Sequence, residues 1–88
     1  MKPVLVTTKH RGVFGGLAPD KQKLDATDIT LKDARMAIYW GTTKGVLELA
    51  DTGPTGKSRI SSAAIEVGLT DVTMIARISD EAWEAWTQ

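Results

Sequence analysis

The stretch DITLKDARMAIYW, residues 28–40, constrains the fold more than any other. It opens on alternation, with Ile29 and Leu31 set against Thr30 and Lys32. That period of two is the pattern of a strand with one buried face. The run then turns continuously apolar through Met36, Ala37, Ile38, Tyr39 and Trp40, as a central strand covered on both faces does. Asp33-Ala34, between the two parts, predicts a turn or kink dividing two short strands. A central strand needs neighbours, so the rest of the chain has to supply a sheet.

Candidate neighbours lie on either side. PVLVTT (3–8) is β-branched and stops at the charged Lys9-His10-Arg11. GVFGGLA (12–18) is a second strand, and its Gly15-Gly16 pair predicts a bulge, a bend or a close backbone approach. The polar segment 19–28 reads as a loop. AAIEVGL (63–69) and DVTMIARIS (71–79) read as two further strands. In the latter Val72, Met74, Ala76 and Ile78 share one face, and Thr73, Ile75 and Arg77 the other.

Two helices complete the pattern. TTKGVLELADTGP (42–54) has Thr42 or Thr43 as a start and Gly53-Pro54 as a stop, which predicts a short helix, followed by a loop at 53–62. SDEAWEAW (79–86) predicts a terminal helix with Ser79 as N-cap and Asp80 and Glu81 in its first turn. Ile78 and Trp83 stand at the two positions of a hydrophobic staple. Trp83, Trp86, Tyr39 and Phe14 are expected in the core. The fold class that follows is α+β, a small curved antiparallel sheet or barrel with one inserted short helix and a C-terminal helix.

The size of the chain, 88 residues, predicts a single domain spanning 1–88. Its 11 basic and 11 acidic residues cancel, which argues against capture of nucleic acid by charge alone. The charges are uneven: the first quarter is basic, and Asp80, Glu81 and Glu84 make the end acidic. Opposite ends and a small core predict a homo-oligomer. With no cysteine, disulfides and thiolate chemistry are excluded. No run approaches the roughly 18 apolar residues of a membrane span, so the chain reads as cytoplasmic.

ADTGPTGKS (50–58) raises the question of a nucleotide site, since GPTGKS matches the end of a P-loop. The first glycine of that motif falls on Asp51, the flanks run helix before loop, and the motif is a coincidence of turn residues. Lys57, Ser58 and Arg59 could still hold an anion without P-loop topology. Taken singly, each is more simply part of a solvated connection. Catalysis is not expected. His10 sits between two cations that depress its pKa, no serine has an evident base, and no cluster of metal ligands or cofactor motif is present. The remaining binding candidates are Arg11, leading into the glycine-rich strand, and Trp40, Thr43 and Lys44, a stacking platform with polar contacts. Core packing is the simpler role for Trp40.

The segments HRGVFGG, ITLKDARMAIYWG, TKGVLELADTGP and SRIS, with EAWEAW at the end, resemble a family of small uncharacterised proteins of tailed phages and prophages. The resemblance runs from Lys9 to Trp86 and implies a phage gene product in the host bacterial cytoplasm, of the kind that serves as an accessory factor. GVFGGLAPD and DITLKDARMAIYW are also similar to the bent strands of Sm-like and SH3-like small barrels, which implies rings that bind nucleotides or RNA between subunits. The function expected is therefore a non-enzymatic counter-defence protein that sequesters a nucleotide-like signal at a subunit interface. The alternatives are an inhibitor docking on a host defence or replication protein, and a minor virion or RNA-binding component.

Overall fold

A computed structural model describes residues 1–9, 12–39, 47–51, 53–54 and 58–87, with the backbone alone at Tyr39 and Glu48. In chain order the elements are β1 (Lys2–Thr8), β2 (Val13–Ala18), β3 (Ile29–Tyr39), α1 (Glu48–Asp51), β4 (Arg59–Ile60), β5 (Ala64–Leu69), β6 (Val72–Arg77) and α2 (Asp80–Trp86). The architecture is α+β, as the sequence predicts: one antiparallel sheet with two short helices. Three details differ. The described part of the stretch predicted as two strands gives one, Ile29–Tyr39. The helix expected over 42–54 is one turn among the described residues. The loop 53–62 contains the short strand β4.

β1 pairs with β2, β2 with β3, and β3 with both β4 and β5 along its other margin; β6 returns to pair with β1. β5 and β6 thus lie at opposite margins of the sheet, although only Thr70 and Asp71 separate them in sequence. In a flat sheet five strands put the outer two about 19 Å apart. Three peptide steps reach at most about 11 Å. The sheet therefore curls until its margins meet at this corner. Asp71, at φ 54, makes the turn, and two backbone bonds fasten it, Lys9 N–H to the Asp71 carbonyl and Val72 N–H to the Thr27 carbonyl, both 2.9 Å. Beyond the corner β5 and β6 diverge unpaired, so the barrel stays open.

The central kink falls at Asp33, whose φ of 50 is left-handed. Opposite it, Asp33 and Ala34 face the single residue Gly16, a bulge that shifts the β2–β3 register. Gly16 is required by space as well: a Cβ there would stand 2.9 Å from the Leu31 Cβ. Its neighbour Gly15 lies under the Trp86 ring, which a Cβ would meet at 3.0 Å. The two glycines admit close approaches from the two faces of one strand.

Those faces carry two cores. Inside the curl pack Val4, Val6, Ala18, Leu31 and Ile75, with others. On the outside Leu5, Val13, Leu49, Ile78, Ala82 and Trp86 pack beneath the helices. β1 is buried on both sides, which explains its unbroken Val4-Leu5-Val6. Met74 and Ala76 of β6, and Ile78 just beyond it, share the helix side as predicted, but Val72 packs inward with Ile75, because a register shift at Thr7/Thr8 intervenes. Ser79 caps α2, accepting a bond of 3.0 Å from Ala82 N–H. Trp86 is wholly buried, and its indole Nε1–H donates to the Leu49 carbonyl at 2.9 Å. Trp83 and Phe14 are only half-buried.

Candidate functional site

The loop that suggested a phosphate site has a structural use at its first glycine. Gly53, at φ 92, ends α1 and packs on α2, where a Cβ would lie 2.8 Å from the Ala82 carbonyl oxygen. The order is helix, loop, strand, the reverse of the strand–loop–helix of a P-loop. Ser58 is half-buried, and Arg59 is exposed on β4, where its register partner is Tyr39. Arg59 has no ion-pair partner among the described residues. Of the seven predicted site residues these are the two described, adjacent in sequence; Arg11, Trp40, Thr43, Lys44 and Lys57 lie outside the described residues, as does His10.

The other described arginines have separate settings. Arg35 is held: its Nη1 lies 3.1 Å from Asp33 Oδ2 and 3.2 Å from the Asp33 carbonyl, and its guanidinium sits 5.7 Å from the Trp83 ring centroid. The clamp spans the bulge and ties β3 to α2. Arg77 is exposed and lines an open hollow of about 350 Å³ with Leu47, Asp51 and Ser79. A second open hollow, of about 530 Å³, is lined by Gln22, Asp28, Thr30, Gly68 and Thr70, among others. One hollow therefore has both a cation and an acid in its lining, and the other offers a carboxylate, an amide and hydroxyls.

Asp20 has a carboxyl held below its ordinary range, first by a hydrogen bond from the Met1 ammonium and its charge, with Lys2 and Arg77 adding to it. A lowered, exposed carboxylate is shifted in the wrong direction for a general acid. Among the described residues no three side chains of metal-ligating type converge, and no helix is long and apolar enough to cross a membrane.

The end of β3 carries an apolar surface that the sequence does not reveal. Met36 is 38% exposed and Ile38 54%, two positions apart on the strand, with buried Ala37 between them. Phe14, half-buried on β2, is the register partner of Met36. On the far side Ser61 runs beside Met36, through a 2.9 Å bond from its N–H to the Met36 carbonyl and a 2.8 Å bond from Met36 N–H to Ser61 Oγ. Phe14, Met36 and Ile38 form an apolar stripe, with the Arg59 strand beside it.

A family model described as "Domain of unknown function (DUF6948)" matches residues 1–86. No curated protein and no solved structure matches the chain.

Proposed function

We propose, for a chain that belongs to the DUF6948 family, that it acts by binding and that its ligand is the surface of another protein. The observation that carries this reading is the stripe on β3, where Met36 and Ile38 stand exposed beside the cationic β4 strand. Apolar side chains fixed on a hydrogen-bonded strand make a rigid surface, and a rigid surface docks at small entropic cost. Exposed Arg59 at its side suits a partner with an acidic rim. The open form of both hollows also favours a protein surface over an enclosed small molecule. The resemblance to tailed-phage proteins supplies the setting, an accessory protein that disables a host defence or replication protein.

A second reading is capture of a nucleotide-like anion by Lys57, Ser58 and Arg59. It is favoured by one observation, the exposed guanidinium of Arg59, which has no ion-pair partner among the described residues.

One set of variants separates the two. Ile38→Asp places a charge in the stripe without emptying the core, so the fold should survive. On the docking reading, the host protein recovered with the wild-type chain binds this variant at least roughly tenfold more weakly by calorimetry. Nucleotides give no heat with either. Equal partner binding by the variant would refute docking through β3. Nucleotide binding that Arg59→Ala weakens would replace it with anion capture.

A further inference from the structure

We infer that a second copy of this chain pairs with the free edge of β5, in one antiparallel register centred on Ile65. The inference goes beyond the docking reading and concerns a different strand.

β5 is hydrogen-bonded to β3 along one edge, and no described strand pairs with the other. A free edge is a row of unpaired N–H and C=O groups that a strand of another chain completes. Proteins guard such edges with charge, and this one is poorly guarded. Its single charged residue is Glu66, with Lys32 of β3 directly opposite it in the register. Ile65, by contrast, is 93% exposed. The free edge of β6 differs: Ile78 and Ser79, at its end, line an open hollow together with α1 residues Ala50 and Asp51, and Ser79 N–H bonds to the Ala50 carbonyl at 2.9 Å.

Symmetry then limits the registers. Two identical antiparallel strands in one sheet are related by a two-fold axis perpendicular to it. That rotation leaves every side chain on its own face, and residues directly opposite share a face. The axis must therefore pass through a residue position, never between two. Centres on Ala64 or Gly68 would run the partner strand off one end of β5, which leaves three in its middle: Ile65, Glu66 and half-buried Val67. A centre on Glu66 sets two carboxylates face to face, which is unfavourable. A centre on Val67 runs the partner strand past Leu69 into the corner, where the Asp71 carbonyl and Val72 N–H are already bonded to Lys9 and Thr27. The centre on Ile65 remains. It sets Ile65 against its own copy, Glu66 against Ala64, and Val67 against Ala63, with Ser62 reaching Gly68, where a Cβ would have nothing within 4 Å. The residues that approach are small, and the most exposed isoleucine is covered.

The chain contains no cysteine, so an introduced one is the only thiol. Directly opposite residues in an antiparallel pair have Cβ atoms about 4.5–5.5 Å apart, close enough for a disulfide after a small shift. Ile65→Cys should therefore cross-link into a dimer under mild oxidation, while Leu24→Cys, on another exposed apolar residue, stays monomeric on denaturing gels. By light scattering at submillimolar concentration the wild type should be a dimer. Ile65→Lys should weaken dimerisation at least roughly tenfold with an unchanged melting temperature of the monomer, because the side chain it replaces packs on nothing. A wild-type monomer at that concentration, a dimer that persists in Ile65→Lys, or equal cross-linking through Leu24→Cys would overturn the inference.

Discussion

A single ring fixes the composition of the strand beneath it. Trp86 occupies the space over Gly15, and its buried indole is satisfied by the Leu49 carbonyl. Trp86→Ala should therefore cost about 3–5 kcal/mol, the usual range for a large aromatic removed from a core. Gly15→Ala places its Cβ at 3.0 Å from ring carbons, and the ring is fully buried in the cluster that also holds Leu5 and Ala82. The expected cost is about 1–3 kcal/mol from overpacking. In a Trp86→Ala background that clash has no partner, so the same Gly15→Ala change should cost much less. Urea unfolding of the two single variants and the double variant measures the difference. Additive costs would mean that Gly15 is needed for its backbone and not for the space it leaves. The sequence signalled a close approach at Gly15-Gly16, and it marked the tryptophans as core. It could not say which tryptophan came closest, because Trp83 and Trp86 are equally apolar and three apart on one helix. Burial divides them: Trp86 is 1% exposed, while Trp83 is half-buried and also carries the guanidinium of Arg35.

At the scale of elements, what was legible had local causes. α2 was read from its cap, its acidic first turn and its staple, all contained within Ile78–Trp86. Ser79 does more than the sequence suggests. Its Oγ accepts from Ala82 N–H and donates to the Asp51 carbonyl at 2.8 Å, so one hydroxyl caps the start of α2 and the end of α1. Ser79→Ala should cost about 2 kcal/mol, the upper end for a helix cap, and Ser79→Asp should restore little. A carboxylate can accept at the N-terminus of α2 but cannot donate to Asp51. Full recovery in Ser79→Asp by thermal unfolding would reduce the residue to an ordinary N-cap. Elements with non-local causes were not legible. β4 is two residues long and exists because β3 offers an edge there. The stripe of Met36 and Ile38 was hidden for a related reason. MAIYW reads as buried throughout, yet the bulge at Asp33 shifts the alternation and leaves positions 36 and 38 beyond the inner core. No periodicity within the segment reveals such a shift, which depends on Gly16 across the sheet.

The shape of the whole molecule depends on the corner at Thr70–Asp71. A two-residue connection between the outermost strands of the curled sheet leaves no slack, so the turn has to have the right geometry. Asp71 supplies it at φ 54, a conformation that asparagine and aspartate tolerate and β-branched residues do not. Its carbonyl receives Lys9 N–H from the end of β1, and the next amide, of Val72, reaches Thr27 before β3. The corner therefore joins three parts of the chain around the inner core of Val4, Val6, Leu31 and Ile75. Asp71→Asn should fold nearly as well as the wild type. Asp71→Val should lose at least roughly 1–2 kcal/mol, the cost of the left-handed strain, although the residue is exposed. Most exposed positions change stability by no more than about 0.5 kcal/mol, so the backbone account and a surface account give different numbers. If the corner holds the curl, Asp71→Val should also speed hydrogen exchange of the Val6 and Ile75 amides more than that of the α2 amides. Uniform loss of protection would mean that the sheet and the helix open together, and that the corner contributes to overall stability without setting the curl.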